Sequence, residues 1–123
     1  MHKSIHFCQG LLVAAVLFGA DAAYAGATGE EVFNKNCAAC HSAAEGQHRF
    51  GPSLHAVVGR AAGSAAGYSY SAAMKNAGIT WSEDKLAAFL ASPQAVVAGT
   101  KMPFGGLKDA ADVAALIAYL KTK

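Results

Sequence analysis

Charge is scarce in this 123-residue chain: 15% of its residues are charged and the formal net charge is +2. A nucleic-acid surface needs a concentrated basic footprint, so that class is set aside. No block of like charge, no low-complexity tail and no internal repeat is visible. Cysteine is nearly absent, with 3 in the chain. Long apolar runs are missing too: Gly10–Ala20 has 11 residues, whereas a bilayer span takes roughly 20. The length allows one domain at most.

What is present divides into a leader and a domain. His2, Lys3 and His6 form a weakly basic head, Gly10–Ala20 an apolar stretch closed by Asp21, and Ala23-Tyr24-Ala25 a small-x-small pattern. That is the anatomy of a secretory signal peptide, too short for an uncleaved anchor. Cleavage is expected after Ala25, leaving residues 26–123 as a single exported domain. The leader takes Cys8 with it, so Cys37 and Cys40 remain. A disulfide across two intervening residues would close a very small loop and staple little. Another use of these thiols is implied.

Three segments read as helices. Thr28-x-x-Glu31 is a capping box opening the first, which carries Val32 and Phe33 inward and runs to about the cysteines. Ser82 caps the second, with Glu83 and Asp84 in its first turn and Ser92-Pro93 as its stop. The third runs from Asp109 to about Lys121, with Val113, Leu116, Ile117 and Leu120 on one stripe. Short helical turns are expected at Ser71–Asn76 and Pro93–Ala98. The rest, Gly46–Trp81 and Gly99–Gly106, is Gly-, Ser- and Ala-rich with little periodicity. Three helices and extensive loops cannot close a conventional core, so a cofactor is expected to supply it.

Cys37-Ala38-Ala39-Cys40-His41 identifies that cofactor as haem. Two thiols on one helical turn can add to the two vinyl groups of a porphyrin, and His41 is then carried under the ring to bind iron. A thioredoxin-type dithiol would need an α/β alternation, which this chain lacks. A zinc site would need a second ligand pair. For the sixth iron ligand the candidates are Met74 and Met102. Met102 lies in a Gly- and Pro-flanked loop far along the chain from His41 and is preferred; Met74 reads as a gap-filling core residue.

From Phe33 to Lys121 the chain resembles the class I cytochromes c, and closely those of the mitochondrial and short bacterial periplasmic type. The stretches that carry the resemblance are Cys37–His41, Gly51-Pro52-Ser53-Leu54-His55, Gly59-Arg60, Gly67-Tyr68-Ser69-Tyr70, Gly78-Ile79-Thr80-Trp81, Gly99-Thr100-Lys101-Met102 and Leu116–Leu120. The fold implied is all-α, three main helices plus short turns and long loops wrapped around one covalent haem c. The resemblance implies thioether links at Cys37 and Cys40 and axial ligands at His41 and Met102. It implies a Pro52 carbonyl orienting the His41 ring, and Arg60, Tyr70, Trp81 and Thr100 in a polar network around the haem propionates. Gly29 and Phe33 look like the face that packs on Leu116 and Tyr119, and His48 like an imidazole tying two loops together. His55 matches a position that is more often exposed.

Two positions depart from the family pattern: Met74 stands where a polar Asn is typical, and Phe89 where a Tyr is common. Both remove hydrogen-bonding groups from the pocket. The docking lysines are also thin, with Gln94 and Ala95 in their place after Pro93. Residues expected to rim the haem edge are Lys35, Arg49, Lys101 and Lys108, with Ala38, Ala39, Val97 and Phe104. The function implied is a soluble, monomeric electron carrier of the periplasm, not an enzyme. Its implied partners are a quinol-oxidising cytochrome bc complex and a terminal oxidase, peroxidase or photosynthetic reaction centre, so it would be peripheral to membrane complexes.

Overall fold

A computed structural model describes residues 26–123; the expected leader lies outside the described residues. Helices α1 (Gly29–Asn36), α2 (Ala72–Lys75), α3 (Glu83–Ala91), α4 (Pro93–Val96) and α5 (Ala110–Leu120) follow one another in the chain. Among the described residues the extended pairing is a single antiparallel bridge, Ala61 with Thr80. None of the described helices is long and apolar enough to cross a membrane.

The helix starts are chemical. Thr28 Oγ1 accepts the Glu31 N–H at 3.2 Å while the Glu31 carboxylate accepts the Thr28 N–H at 2.7 Å, a complete capping box. Ser71 and Ser82 accept the amides of Met74 and Lys85, and the Asp109 carboxylate accepts that of Ala111 at 2.8 Å. Each such cap contributes about 1 kcal/mol. Caps alone do not hold an 11-residue helix, which is marginal in isolation. The α5 stripe does: Val113, Leu116, Ile117 and Leu120 are buried, and each contributes roughly 1.5–3 kcal/mol.

Helix α5 packs on both α1 and α3. At its crossing with α1 a Cβ on Gly29 would lie 2.5 Å from Tyr119 Cβ and 2.9 Å from the Ala115 carbonyl carbon. Only glycine allows that approach, as the resemblance implies. Phe33 tilts against Tyr119 at a ring separation of 5.6 Å. The exposed Lys121–Glu83 pair at 3.3 Å joins the ends of α5 and α3 and adds little.

Residues 41–71 hold no helix, yet they are not loose. The sequence shows no periodicity there because the order comes from side chains bonded to backbone. His48 Nε2 donates to the Ala66 carbonyl at 2.7 Å while its Nδ1 accepts the Ser53 N–H at 3.0 Å, tying two loops together. Buried Ser53 donates through Oγ to the Ala44 carbonyl at 2.6 Å and accepts the His55 N–H at 3.1 Å. The Arg60 guanidinium donates to the carbonyls of His55 and Ser53 at 2.8 and 3.0 Å. This scaffold and the helices leave a cavity between them.

Candidate functional site

The cysteine segment continues α1. The Cys37 N–H donates to the Phe33 carbonyl at 2.8 Å, and the N–H groups of Cys40 and His41 both donate to the Cys37 carbonyl, at 3.0 and 2.8 Å. The motif is therefore one tight turn at a helix end, which places both sulfurs and the imidazole against the same space. Cys37 is buried, Cys40 is half-buried, and both thiols are free. Burial, with a smaller contribution from Cys40, pushes the Cys37 thiol up to about 11, so it is uncharged at neutral pH. Among the described residues no cluster of three His, Cys, Asp or Glu exists that could hold a metal ion, so the zinc alternative has no second ligand pair.

His41 is fixed from behind. Its Nδ1 lies 2.7 Å from the Pro52 carbonyl oxygen, which can only accept, so Nδ1 carries the proton and Nε2 keeps its lone pair for another partner. Burial holds the His41 pKa below its ordinary value although the Pro52 bond favours the charged form. A neutral imidazole is the form that binds a metal. Gly51 leaves the ring its space, because a Cβ there would run into the imidazole.

The Met102 segment approaches by different means. Gln94, in α4, donates through Nε2 to the Thr100 carbonyl at 2.9 Å and accepts the Gly99 N–H through Oε1 at 3.1 Å. One amide thus clamps the turn before the methionine. Thr100 is buried; its Oγ1 accepts the Met102 N–H at 3.4 Å, and the Met102 carbonyl accepts the Phe104 N–H at 2.9 Å.

Cys37, Cys40, His41, Pro52, Arg60, Tyr70, Trp81, Thr100 and Met102 all border one cavity of about 370 Å³. Leu54, Val57, Leu86, Phe89 and Leu90 make its apolar walls, and among the described residues no Asp or Glu lines it. The Trp81 and Phe89 rings pack tilted at 55°, with centroids 4.8 Å apart. The residues fit a haem by their donor chemistry. They present paired thiols, a neutral imidazole, a thioether and apolar walls for a planar macrocycle. Arg60 adds a buried Nε–H without a partner, a donor in want of an anionic acceptor such as a carboxylate. Tyr70 adds another: its hydroxyl oxygen accepts the Ala65 N–H at 3.0 Å, leaving its own proton to donate.

The family model described as cytochrome c matches residues 26–123, the whole of the described domain. The chain belongs to the cytochrome c family. Cytochrome c of Nigella damascena is 48% identical over 96 residues, which cover 77% of this chain and 86% of that one. Cytochrome c2 of Blastochloris viridis is 44% identical over 113 residues, 91% of this chain and 88% of that one. Among solved structures, cytochrome cH from Methylobacterium extorquens superposes with a TM-score of 0.72 at 46% identity, covering 77% of this chain and 95% of that chain. As a class I cytochrome c the chain carries one haem c, attached through Cys37 and Cys40, and transfers electrons without being an enzyme.

Of three features of the site, the first two differ from the sequence reading or were missed by it, and the third agrees with it. Val97, expected on the apolar rim of the haem edge, is buried at 3% exposure because its N–H closes α4 onto the Pro93 carbonyl and turns the side chain into the core. Gln94, read only as a lost lysine, is the clamp of the Met102 segment; an amide four to six residues before a Gly-Thr turn is the signal that could have found it. Met74 borders the same cavity as Met102 and is half-buried in α2.

Proposed function

We propose that this cytochrome c is a periplasmic carrier of single electrons in which His41 and Met102 are the axial ligands of the haem iron. When bound, the haem supplies the redox chemistry, an iron that alternates between ferric and ferrous states. The protein supplies the rest. Pro52 holds the His41 ring in the tautomer that leaves Nε2 free. Gln94 and Thr100 present the Met102 thioether. Arg60 and Tyr70 offer N–H and O–H groups, and Trp81 a buried indole, to carboxylates that would be costly to bury unpaired. Held by His41 and Met102, the iron would offer no open site to a small molecule, and a thioether in an apolar pocket would favour its reduced state.

The observation that carries this reading is the convergence of His41 and Met102, far apart in the chain, on one acid-free apolar cavity with the paired cysteines. Export is supported by the leader pattern and by a family match that begins at residue 26. The likeness to the Blastochloris viridis protein spans 91% of the chain and so reaches into the leader. The partners that suit such a protein are a quinol-oxidising bc complex as donor and a terminal oxidase, peroxidase or photosynthetic reaction centre as acceptor.

The test is a redox titration followed by stopped-flow mixing with a purified bc complex and a purified oxidase. A carrier is reduced by the first and oxidised by the second without consuming any substrate of its own. A protein that exchanges electrons with neither, yet turns over peroxide, contradicts the reading. N-terminal sequencing of the secreted protein checks cleavage after Ala25.

A further inference from the structure

Apart from Cys37 and Cys40, which the haem attachment takes up, the sulfur of the described residues lies in Met74 and Met102. Both side chains border the same cavity, but their supports are unequal. Met102 follows the turn that Gln94 clamps. Met74 lies in α2, a helix of 4 residues with none of them buried, which packs on no other described helix. Ser71 caps it, its hydroxyl accepting the Met74 N–H at 3.1 Å, and Ala72, Lys75 and Asn76 beside it are exposed. An element held by its cap and by the partly buried Ala73 and Met74 opens locally at low cost, which lets a small solute in.

The two thioethers also differ in chemistry. A sulfur bound to iron has a lone pair engaged, and attack on it waits for the iron–sulfur bond to open. Met74 is no ligand in the carrier reading, and its sulfur keeps both lone pairs. A peroxide transfers oxygen to such a thioether. The O–O bond breaks and an S–O bond forms, sulfur gives up two electrons, and the second oxygen leaves as water or an alcohol. An apolar side chain thereby becomes polar. The cavity holds a donor for it: the buried Thr100 hydroxyl accepts the Met102 N–H, and its own proton remains to donate.

We propose that Met74 is a modification site: a peroxide oxidises it to the sulfoxide before Met102 is touched, and the sulfoxide lowers the midpoint potential of the haem. The proposal rests on the carrier reading above, because Met102 is spared as an iron ligand. The sign follows from polarity. A dipole added to an apolar pocket stabilises the more highly charged ferric form over the ferrous one. Contact with peroxide thus retunes the carrier without dislodging its axial thioether.

The test treats the ferric holoprotein with graded hydrogen peroxide. Each step is read by peptide mass mapping, by the sulfur-to-iron absorption band and by redox titration. Met74→Leu, which cannot take up the oxygen, and Met74→Gln, which is polar from the start, are carried alongside. The Met74 peptide should gain one oxygen roughly tenfold faster than the Met102 peptide. Over that interval the band should persist and the potential should fall. Met74→Leu should hold its potential at the same dose, and Met74→Gln should start below the wild type. Methionine sulfoxide reductase with dithiothreitol should return the oxidised wild type to its starting potential. Oxidation of Met102 before or together with Met74, with loss of the band, overturns the proposal. So does an oxidised Met74 that leaves the potential where it was. So does a fall in potential that Met74→Leu shares, which would place the damage elsewhere. Wild-type protein that lacks the band before any peroxide is added contradicts the carrier reading itself, and the proposal with it.

Discussion

The two segments that bring His41 and Met102 to the cavity are secured by different forces. Around His41 the chain is a mesh of polar bonds. Pro52 holds the ring, His48 and Ser53 tie loop to loop, and Arg60 gathers two carbonyls. Around Met102 one amide, Gln94, clamps the turn, one hydroxyl, Thr100, meets the backbone, and the nearby Phe89 and Met74 can only pack. Polar meshes with fixed geometry resist small displacements; apolar packing with few tethers yields to them. The imidazole side should therefore be the fixed jaw of the site and the thioether side the one that opens first.

The largest expected effect removes what the two jaws close upon. Cys37→Ala combined with Cys40→Ala should yield a chain without haem and without helical structure in circular dichroism, since the cavity then stays empty. Haem extracted from the unmodified protein by acid–acetone would show that attachment is not covalent.

A smaller effect strikes the fixed jaw alone. Gly51→Ala puts a Cβ into the space of the His41 ring. Either the ring or its loop must shift, which should cost at least about 1–3 kcal/mol in denaturant unfolding of the holoprotein. A fully stable Gly51→Ala would mean that the imidazole side yields as readily as the other and would break the comparison.

The difference is sharpest in a matched pair. Ser53→Ala leaves buried polar groups without partners and should lower global stability by about 1–3 kcal/mol. Gln94→Ala removes two bonds at the surface and should reduce global stability by less than about 1 kcal/mol. It should instead bring forward, by one or more pH units or about 1 M urea, the loss of the sulfur-to-iron absorption band. If Gln94→Ala unfolds the whole protein as readily as Ser53→Ala, the Met102 segment is as much part of the framework as the loops around His41.

These two jaws were unequally legible in the sequence. The three main helices could be read to within about a residue because caps and stripes are local: Thr28, Ser82 and Asp109 stand where α1, α3 and α5 start, and Val113, Leu116, Ile117 and Leu120 lie on the buried face. The attachment turn was readable for the same reason, since Cys37–His41 is contiguous. The mesh around His41 was not readable from periodicity, because Ser53, His48 and Arg60 act on carbonyls that nothing local singles out; resemblance alone pointed to Pro52 and His48. Gln94 and Val97 escaped both routes. Their roles depend on which way a loop residue faces, and that is decided by the backbone bonds of its neighbours.

The smallest expected effect concerns salt. Lys35, Arg49, Lys101 and Lys108 are exposed, but the Arg49 guanidinium is bonded to the Ala38 carbonyl and the Lys108 ammonium to the Gly105 carbonyl at 3.0 Å. Each exposed pair with a partner contributes about 0.2–1 kcal/mol, and salt screens it within roughly 8–10 Å. The rate with an oxidase should thus fall only modestly across a salt series, by clearly less than for a lysine-rich mitochondrial cytochrome c run beside it. An equally steep decline would mean that the cations form a focused docking ring.

The most direct test of the whole account is the weak sulfur-to-iron band of the ferric protein, recorded for the wild type, Met74→Leu and Met102→Ala. The band should be present in the wild type, unchanged in Met74→Leu and absent in Met102→Ala, which should also have a lower potential and bind carbon monoxide in the ferrous state. A band that survives Met102→Ala and vanishes in Met74→Leu would place the thioether ligand on α2 and contradict the assignment of Met102.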